Sequence, residues 1–327
     1  MDVESANKSI VIGGVSVSPG EEKLLKIGID RLPTGTLIDI PVYVFNARKP
    51  GPTVLIQAGL HGDEINGIEI VRRMLEEKSL NVISGAIIAV PILNIFGFIH
   101  FSRDVPDGKD VNRSFPGTKS GSMASRIAFH YVTEIMHQID VAIDLHTGGG
   151  QRHNYPQIRF TQEDERSAHL AKIFNAPISF PSKLIRGSFR NAAFKMGKPT
   201  IVYEAGESMR FDDYSIQKGI EGIGNILQYL KMISKNESNL HTENTTVQLN
   251  DRRWLRAPTA GMFVPKVING GEIHKGQELG LVSDTYAKKT KKIKAPFDGH
   301  LICINHQAVV NQGDALFHVG SVVNNKS

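Results

Sequence analysis

A short apolar strand that runs into a glycine-flanked turn is the feature that most constrains how this chain can fold. The strand is predicted at 53–58, and the motif Gly-Leu-His-Gly-Asp-Glu occupies 59–64 directly after its apolar run. The residues at 65–76 have the pattern of a helix. A buried strand, a tight turn and a helix in this order are typical of open α/β sheets, which bind ligands at the carboxyl ends of their strands.

The turn places a histidine and a glutamate three residues apart at that edge of the sheet. An imidazole and a carboxylate held side by side are two of the three protein ligands that a catalytic zinc uses, with one position left for water. A second predicted strand at 141–145 ends at His146, which is followed by Thr-Gly-Gly-Gly. The sequence therefore predicts a metal site made by His61, Glu64 and His146.

Composition narrows the kinds of protein that this chain can be. Its 327 residues suffice for two domains, and no apolar run approaches the roughly 20 residues of a membrane span. The N-terminus has no pattern of a secretory signal, and the single cysteine, Cys303, fits a reducing compartment, so we expect a cytoplasmic protein. The net charge of +5 comes with no nucleic-acid-binding signature, so we expect neither a nucleic-acid nor a membrane partner. A homo-oligomer is left open.

Apolar runs alternate with helical patterns through the middle of the chain. Strands are predicted at 53–58, 86–91, 141–145 and 200–203, and helices at 65–76, 122–138, 163–174 and 213–233. This alternation predicts an α/β domain whose mainly parallel sheet has helices on both faces. The predicted division is an N-terminal β segment (1–45), a catalytic domain (46–235), a polar linker (236–250) and a β domain (251–327).

The last part of the chain contains an internal repeat. The sequence Ala-Pro-Thr-Ala-Gly at 257–261 returns as Ala-Pro-Phe-Asp-Gly 38 positions later. Two short β halves of this kind can pack face to face into a small sandwich, which resembles the biotinyl/lipoyl-type barrel-sandwich hybrid. The hairpin at 285–291 has no Met-Lys-Met signature, so we expect a structural or assembly module rather than a swinging carrier arm.

Four segments taken together resemble one enzyme family. They are Gly-Leu-His-Gly-Asp-Glu at 59–64, the loop from Arg103 to Gly117 with Asp-Val-Asn-Arg at 110–113, Asp-Leu-His-Thr at 144–147, and Tyr-Glu-Ala-Gly at 203–206. Over about residues 45–320 the chain resembles the succinylglutamate desuccinylase/aspartoacylase family, a branch of the zinc carboxypeptidase superfamily. The resemblance implies a carboxypeptidase-like mixed sheet flanked by helices, with a small C-terminal β domain. It also implies a hydrolase that cleaves the amide of a small N-acyl amino acid.

The resemblance assigns the metal site and the general base. It implies that His61, Glu64 and His146 bind one zinc ion per chain. Asp110 would hydrogen-bond a ligand imidazole, that of His61, and fix its tautomer. Glu204, at the end of the strand predicted at 200–203, would take a proton from zinc-bound water and deliver it to the leaving amine.

The resemblance also assigns the groups that contact the substrate. Asn112 and Arg113 would hold its carboxylate, because a guanidinium matches a carboxylate through two parallel hydrogen bonds. Arg103 would stabilise the oxyanion that develops on the scissile carbonyl. Glu207 competes with Glu204 for the role of base, and Asp144 fits a supporting carboxylate better than a ligand.

Three other interpretations stay open at this point. A metallocarboxypeptidase would use the same residues on short peptides, and access to the cleft would separate it from a deacylase. A non-catalytic carrier built around the β domain predicts a missing ligand or base, whereas all are present. A member of the family that keeps zinc only for structure is disfavoured by the intact Glu204, Arg113 and Arg103.

Overall fold

The computed structural model describes residues 6–31, 34–77, 80–234 and 246–323. Its strands are β1 (Ile10–Ile12), β2 (Val15–Val17), β3 (Glu22–Arg31), β4 (Leu37–Asn46), β5 (Lys49–Gln57), β6 (Ser84–Val90), β7 (Val141–Gly148), β8 (Arg152–Phe160), β9 (Ile178–Pro181), β10 (Thr200–Glu207), β11 (Val247–Arg256), β12 (Gly261–Pro265), β13 (Glu272–Ile273), β14 (Glu278–Ser283), β15 (Thr290–Lys294), β16 (Gly299–Asn305), β17 (Val309–Val310) and β18 (Ala315–Val322). Its α-helices are α1 (Ile65–Glu76), α2 (Ile95–Ile99), α3 (Met123–Tyr131), α4 (Glu165–Phe174), α5 (Phe189–Lys195) and α6 (Asp213–Tyr229).

A single mixed sheet of 12 strands runs through the molecule in the order β13-β16-β18-β11-β9-β8-β10-β7-β5-β6-β4-β3. The predicted parallel arrangement holds at the centre, where β10, β7, β5 and β6 are parallel neighbours. On either side β8 is antiparallel to β10, and β4 is antiparallel to β6. The expectation of a mainly parallel sheet therefore describes the centre, and the sheet as a whole is mixed.

The central strands separate two hydrophobic cores. Every residue of β7 is buried, and successive side chains of a strand point to opposite faces. Ile143 and Leu145 face the core beneath α1, α4 and α6, whereas Ala142 faces the core beneath α3 and α5. Asp144 and His146 share the parity of Ala142, so the polar groups of β7 lie on the face of α3 and α5.

The predicted helices are found with small differences at their ends. Helix α1 has the predicted bounds, and α4 begins two residues late, where the Asp164 side chain accepts a hydrogen bond from the Arg166 amide. The helix predicted at 122–138 is divided, since α3 ends at Tyr131 and a π-helical turn follows at Val132–Met136. Helix α6 ends at Tyr229 instead of 233. In the described residues, no helix has the length and apolar character needed to cross a membrane.

The C-terminal repeat forms two facing layers. A four-stranded sheet, in the order β15-β14-β12-β17, packs on β13, β16, β18 and β11 around a core that includes Phe263, Leu301 and Phe317. The second layer also belongs to the 12-stranded sheet, because β11 pairs with β9 and β16 pairs with β8. The predicted linker at 236–250 lies mostly outside the described residues, and β11 already begins at Val247.

The N-terminal strands join the opposite edge of the sheet. β3 and β4 form an antiparallel hairpin that adds to β6. The β1-β2 hairpin lies against the π-helical turn, where the amides of Val11 and Gly13 donate hydrogen bonds to the side chains of Gln138 and Glu134. Both ends of the described chain therefore pack on the central α/β unit.

Candidate active site

Three buried side chains meet at the carboxyl ends of β5 and β7. Glu64 Oε1 lies 2.7 Å from His61 Nδ1, and Glu64 Oε2 lies 2.8 Å from His146 Nδ1. The Thr147 amide donates to the same Oε2 at 3.0 Å. One ligand atom from each of the three residues lies within 4.8 Å of the others, and all three are buried. The structure thus brings together the three residues that the sequence predicted as metal ligands.

Close packing of the turn at 59–64 fixes the positions of His61 and Glu64. A Cβ on Gly62 would lie 1.9 Å from the Gly97 carbonyl carbon, so the backbone of α2 leaves no room for a side chain there. Gly59 has a φ of 59°, in the left-handed region that glycine adopts at little cost. Helix α1 begins at Ile65, directly after Glu64, so the turn passes into a helix that is anchored in the core.

Two further carboxylates lie behind the imidazoles. Asp144 Oδ2 lies 3.1 Å from His146 Nε2, and Asp110 Oδ1 lies 3.4 Å from His61 Nε2. Asp144 is itself held by the Gln57 side chain at 2.8 Å, and the Tyr131 hydroxyl donates to Gln57 at 2.6 Å. Each imidazole therefore has one nitrogen toward Glu64 and the other toward an outer carboxylate, the arrangement that orients histidine ligands in metal sites.

The electrostatics of the cluster favour paired charges. Burial raises the pKa of Glu64, but the two imidazoles outweigh that effect and hold the pKa well below its ordinary value. Burial lowers the pKa of His146, but Asp144 and Glu64 raise it well above its ordinary value. The pKa of His61 is also raised, since Glu64 and Asp110 outweigh the effect of burial. A site with this concentration of buried carboxylate suits a cation.

The donor set fits a catalytic metal ion. Two imidazole nitrogens and one carboxylate converge on the same place, and in each imidazole it is Nδ1 that faces Glu64. Two histidines and one acidic residue form a ligand set found at catalytic zinc, which keeps a further position for water. These residues could therefore hold one metal ion, and the ligand types alone do not distinguish zinc from cobalt, manganese or iron.

Glu204 lies on the neighbouring strand at the same edge of the sheet. It is the register partner of His146 between the parallel strands β10 and β7. Arg159 Nη1 lies 2.8 Å from Glu204 Oε1, and Asn154 Nδ2 donates to Glu204 Oε2 at 2.8 Å. The rival carboxylate, Glu207, lies farther along β10 and accepts a hydrogen bond from His306 Nδ1 at 2.6 Å. Of these two carboxylates, only Glu204 lines the cavity that also contains His61, Glu64 and His146.

The loop after α2 brings the other predicted groups to the same place. Arg103 donates to Asp110 Oδ2 from Nε and Nη2, at 3.1 and 2.8 Å, and its Nη1 lies 3.1 Å from His61 Nδ1. The Asn112 carbonyl oxygen Oδ1 accepts from the Phe189 amide, which leaves its amide nitrogen as the group available to a ligand. Arg113 donates to the backbone oxygen of Asn112, and its side chain is 44% exposed at the rim.

These residues line one cavity of about 260 Å³. Its wall also includes four residues that the sequence did not single out: Asn154, Arg159, Arg190 and Trp254. Arg190 is buried and donates to Ser182 Oγ and to the Lys183 carbonyl, and among the described residues no carboxylate pairs with it. Asn154 and Arg159 belong to β8, a strand that was not predicted and that contains Pro156. Trp254 comes from β11, in the C-terminal part of the chain.

The fold and the site together define an α/β protein with a buried His-Glu-His group suited to a metal, beside a carboxylate and several arginines. Comparisons with known proteins agree. Residues 50–230 match the model of the succinylglutamate desuccinylase/aspartoacylase catalytic domain. The chain therefore belongs to the succinylglutamate desuccinylase/aspartoacylase family.

Individual relatives cover almost the whole chain. The N-alpha-acetyl-L-2,4-diaminobutyric acid deacetylase of Halomonas elongata is 27% identical over 295 residues, which are 87% of this chain and 86% of the relative. A succinylglutamate desuccinylase/aspartoacylase structure from Rhodobacter sphaeroides has a TM-score of 0.81 at 23% identity and covers 93% of this chain and 96% of its own. The product-bound ectoine utilization protein EutE (DoeB) of Ruegeria pomeroyi has a TM-score of 0.80 at 24% identity, over 92% and 94%. The two structural similarities extend through the C-terminal β strands.

Proposed function

We propose that this protein is a zinc-dependent hydrolase that cleaves the amide bond of a small N-acyl amino acid. The observation that carries the proposal is the convergence of His61, Glu64 and His146 beside Glu204 in one cavity. Membership of the family supports the reaction type, and the relative from Halomonas elongata is named as a deacetylase of an acetylated amino acid.

His61, Glu64 and His146 would hold one zinc ion per chain. When bound, zinc lowers the pKa of a coordinated water to roughly 7 and polarises the scissile carbonyl. The outer carboxylates Asp110 and Asp144 keep both imidazoles in a fixed orientation.

Glu204 acts as the general base in this proposal. Its carboxylate accepts a proton from the attacking water and then delivers it to the amine nitrogen, which cannot depart without that proton. Glu207 is less suited to the role, because it does not line the cavity that holds the His-Glu-His group. Arg103, beside His61, is placed to stabilise negative charge that develops on the carbonyl oxygen.

The charges around the cavity favour a substrate with a carboxylate. Five arginines line it, of which Arg159 is paired with Glu204 and the others are Arg103, Arg113, Arg152 and Arg190. The three lining carboxylates, Glu64, Asp144 and Glu204, are all paired with cationic or hydrogen-donating side chains. Asn112 and Arg113 at the rim would hold the carboxylate of the amino acid, and the buried Arg190 offers a further site for an acidic group. No lining carboxylate remains free for a cationic side chain such as that of diaminobutyric acid.

The size of the cavity favours the deacylase over the alternative, a metallocarboxypeptidase of short peptides. About 260 Å³ is at the low end of ligand sites, which commonly measure 300 Å³ or more. Trp254 closes one wall from the C-terminal part of the chain, so an extended peptide has little room. A cytoplasmic location stays a prediction from the sequence. In the structure the single cysteine, Cys303, is buried and forms no disulfide.

The test combines metal analysis with a substrate panel. The purified protein is assayed for zinc and for hydrolysis of N-acetylaspartate, N-succinylglutamate, N-α-acetyl-2,4-diaminobutyrate, N-formyl amino acids and short peptides. We expect about one zinc per chain and turnover of an N-acyl amino acid that Glu204→Gln abolishes while Glu207→Gln retains it. Cleavage of peptides alone would identify a carboxypeptidase, and a folded, metal-free protein without turnover would refute the proposal.

A further inference from the structure

Both oxygens of the Glu204 carboxylate are held by side chains of the neighbouring strand. Asn154 donates to Oε2, and Arg159 lies at the same distance, 2.8 Å, from Oε1. Gln157 is the register partner of Glu204, and Arg159 is two residues farther along β8. Arg159 and Glu204 therefore project from the same face of the sheet, and the contact between them follows from the strand pairing.

Arg159 is itself fixed by its surroundings. Its register partner on β9 is Phe180, and the guanidinium carbon of Arg159 lies 5.7 Å from the centre of the Phe180 ring. Arg252, from β11, packs over the same ring at 4.2 Å. Within the described part of the chain, Glu204 is the one carboxylate that forms an ion pair with Arg159. The Arg159 guanidinium thus packs near the Phe180 ring and pairs with the Glu204 carboxylate.

The environment of this pair is strongly positive. Burial, reinforced by Arg159, lowers the pKa of Arg190 to about 10. Burial, reinforced by Arg159 and Arg252, lowers the pKa of His318 to about 3, so this imidazole is neutral. The ion pair of Arg159 and Glu204 therefore lies among several guanidiniums.

The C-terminal part of the chain supports the same arrangement. β16 pairs with β8 from Arg152 to Asn154, with Cys303 opposite Asn154. Backbone hydrogen bonds to β16 therefore fix the segment of β8 from which Asn154 reaches Glu204. This segment also provides Arg152, which lines the cavity.

We propose that Arg159 is a positioning residue, which with Asn154 holds the Glu204 carboxylate in one orientation for proton transfer. The inference rests on the proposed function, because it assigns a role through Glu204 as the base. It requires that Arg159 acts through Glu204 and that it does not bind the substrate. A general base that is misplaced by about 1 Å loses on the order of 100-fold in rate. Loss of the contact between Arg159 and Glu204 should therefore be visible in kcat.

The experiment compares Arg159→Met and Arg159→Lys with wild type on the best substrate of the panel. We expect Arg159→Met to lower kcat by about 100-fold and to leave KM within about threefold. Arg159→Lys retains a cation and should recover part of the loss, and added guanidinium chloride at millimolar concentration should partly rescue Arg159→Met. Arg166→Met, which removes an exposed arginine paired with Asp164 on α4, is the matched control and should behave as wild type. Zinc content and melting temperature of each variant show whether the fold and the metal site are intact.

Different results distinguish a failure of the role inferred for Arg159 from a failure of the proposed hydrolase function. A rise in KM at unchanged kcat in Arg159→Met would show that Arg159 binds the substrate, and this would overturn the inference while leaving the hydrolase intact. Equal kcat and KM in wild type and Arg159→Met would overturn it as well. Arg159→Met could fail to fold, and Arg159→Lys, which loses the planar guanidinium, then provides the test. An unchanged kcat in Arg159→Lys would count against the inference. Absence of turnover in wild type would refute the proposed function itself.

Discussion

If this protein binds zinc as proposed, the binding should depend steeply on pH, because the imidazoles that would hold the metal also bind protons. Glu64 and the outer carboxylates raise the pKa of both His61 and His146. A histidine must give up its proton from the nitrogen that binds the metal, so zinc and protons compete for the same atoms. Glu64 has a pKa well below its ordinary value, so it is already ionised near neutral pH and adds no proton to the competition.

The size of the effect follows from the number of protons released. Each proton that zinc displaces changes the apparent affinity by about tenfold per pH unit below the pKa of its group. With both imidazoles protonated, the slope approaches about 100-fold per unit. An ordinary histidine has a pKa of about 6.5, so unperturbed ligands would give a flat dependence above roughly pH 7.5. The raised pKa values extend the slope beyond that point.

The measurement is a competition with a chelator of known zinc affinity at several pH values between 6 and 9, with calorimetry in buffers of different ionisation heat to count the protons. In Asp144→Asn the strongest carboxylate acting on His146 is neutral, so the steep region should move to lower pH. A zinc affinity that is flat from pH 7 to 8 in the wild-type protein would refute the reasoning. So would an identical pH dependence in Asp144→Asn.

Three further predictions concern stability. In the zinc-free protein, the lowered pKa of Glu64 stabilises the fold at pH values above 4.5, the ordinary pKa of a glutamate. The raised pKa of His146 stabilises the fold at pH values below 6.5, the ordinary pKa of a histidine. A pH series of urea unfolding should therefore show the largest contribution of the cluster between pH 4.5 and 6.5. Gly62→Ala places a methyl group against the backbone of Gly97 and should cost about 3 kcal/mol or more, and urea unfolding that matches wild type would contradict this close approach. Tyr131→Phe removes the hydrogen bond to Gln57 behind Asp144 and should cost about 1 kcal/mol in thermal unfolding, whereas a gain in stability would show that this bond is not made.

Local patterns in the sequence predicted the part of the fold that depends on neighbouring residues. The apolar strand, the glycine-flanked turn and the helix of residues 53–76 are adjacent along the chain, and α1 has the predicted bounds. The strands that carry His146 and Glu204 were also recognisable, because buried strands are continuous apolar runs, although β7 continues to Gly148 and β10 to Glu207, beyond the predicted ends. The predicted ligands and the predicted base consequently lie at one edge of one sheet.

The sequence did not predict the groups that act through tertiary pairing. β8 contains Pro156 and begins with three polar residues in a row, Arg152, His153 and Asn154, so its composition is not that of a central strand. Arg159 contacts Glu204 only because β8 and β10 are neighbours in a particular register, although 45 residues separate the two along the chain. A residue pair of this kind has no local pattern, since each side chain alone is compatible with an exposed strand.

The continuous sheet also bears on what the C-terminal β module can do. A swinging carrier arm needs a module that moves freely, whereas β16 and β11 are hydrogen-bonded to β8 and β9 of the α/β unit. Moving the module away would break those backbone pairs, remove Trp254 from the cavity wall and release the strand that carries Asn154. Since buried backbone groups must stay hydrogen-bonded, such a movement is costly. The module is therefore a fixed wall of the cavity, and in the proposed function it would limit the length of the substrate and hold the strand that positions Glu204.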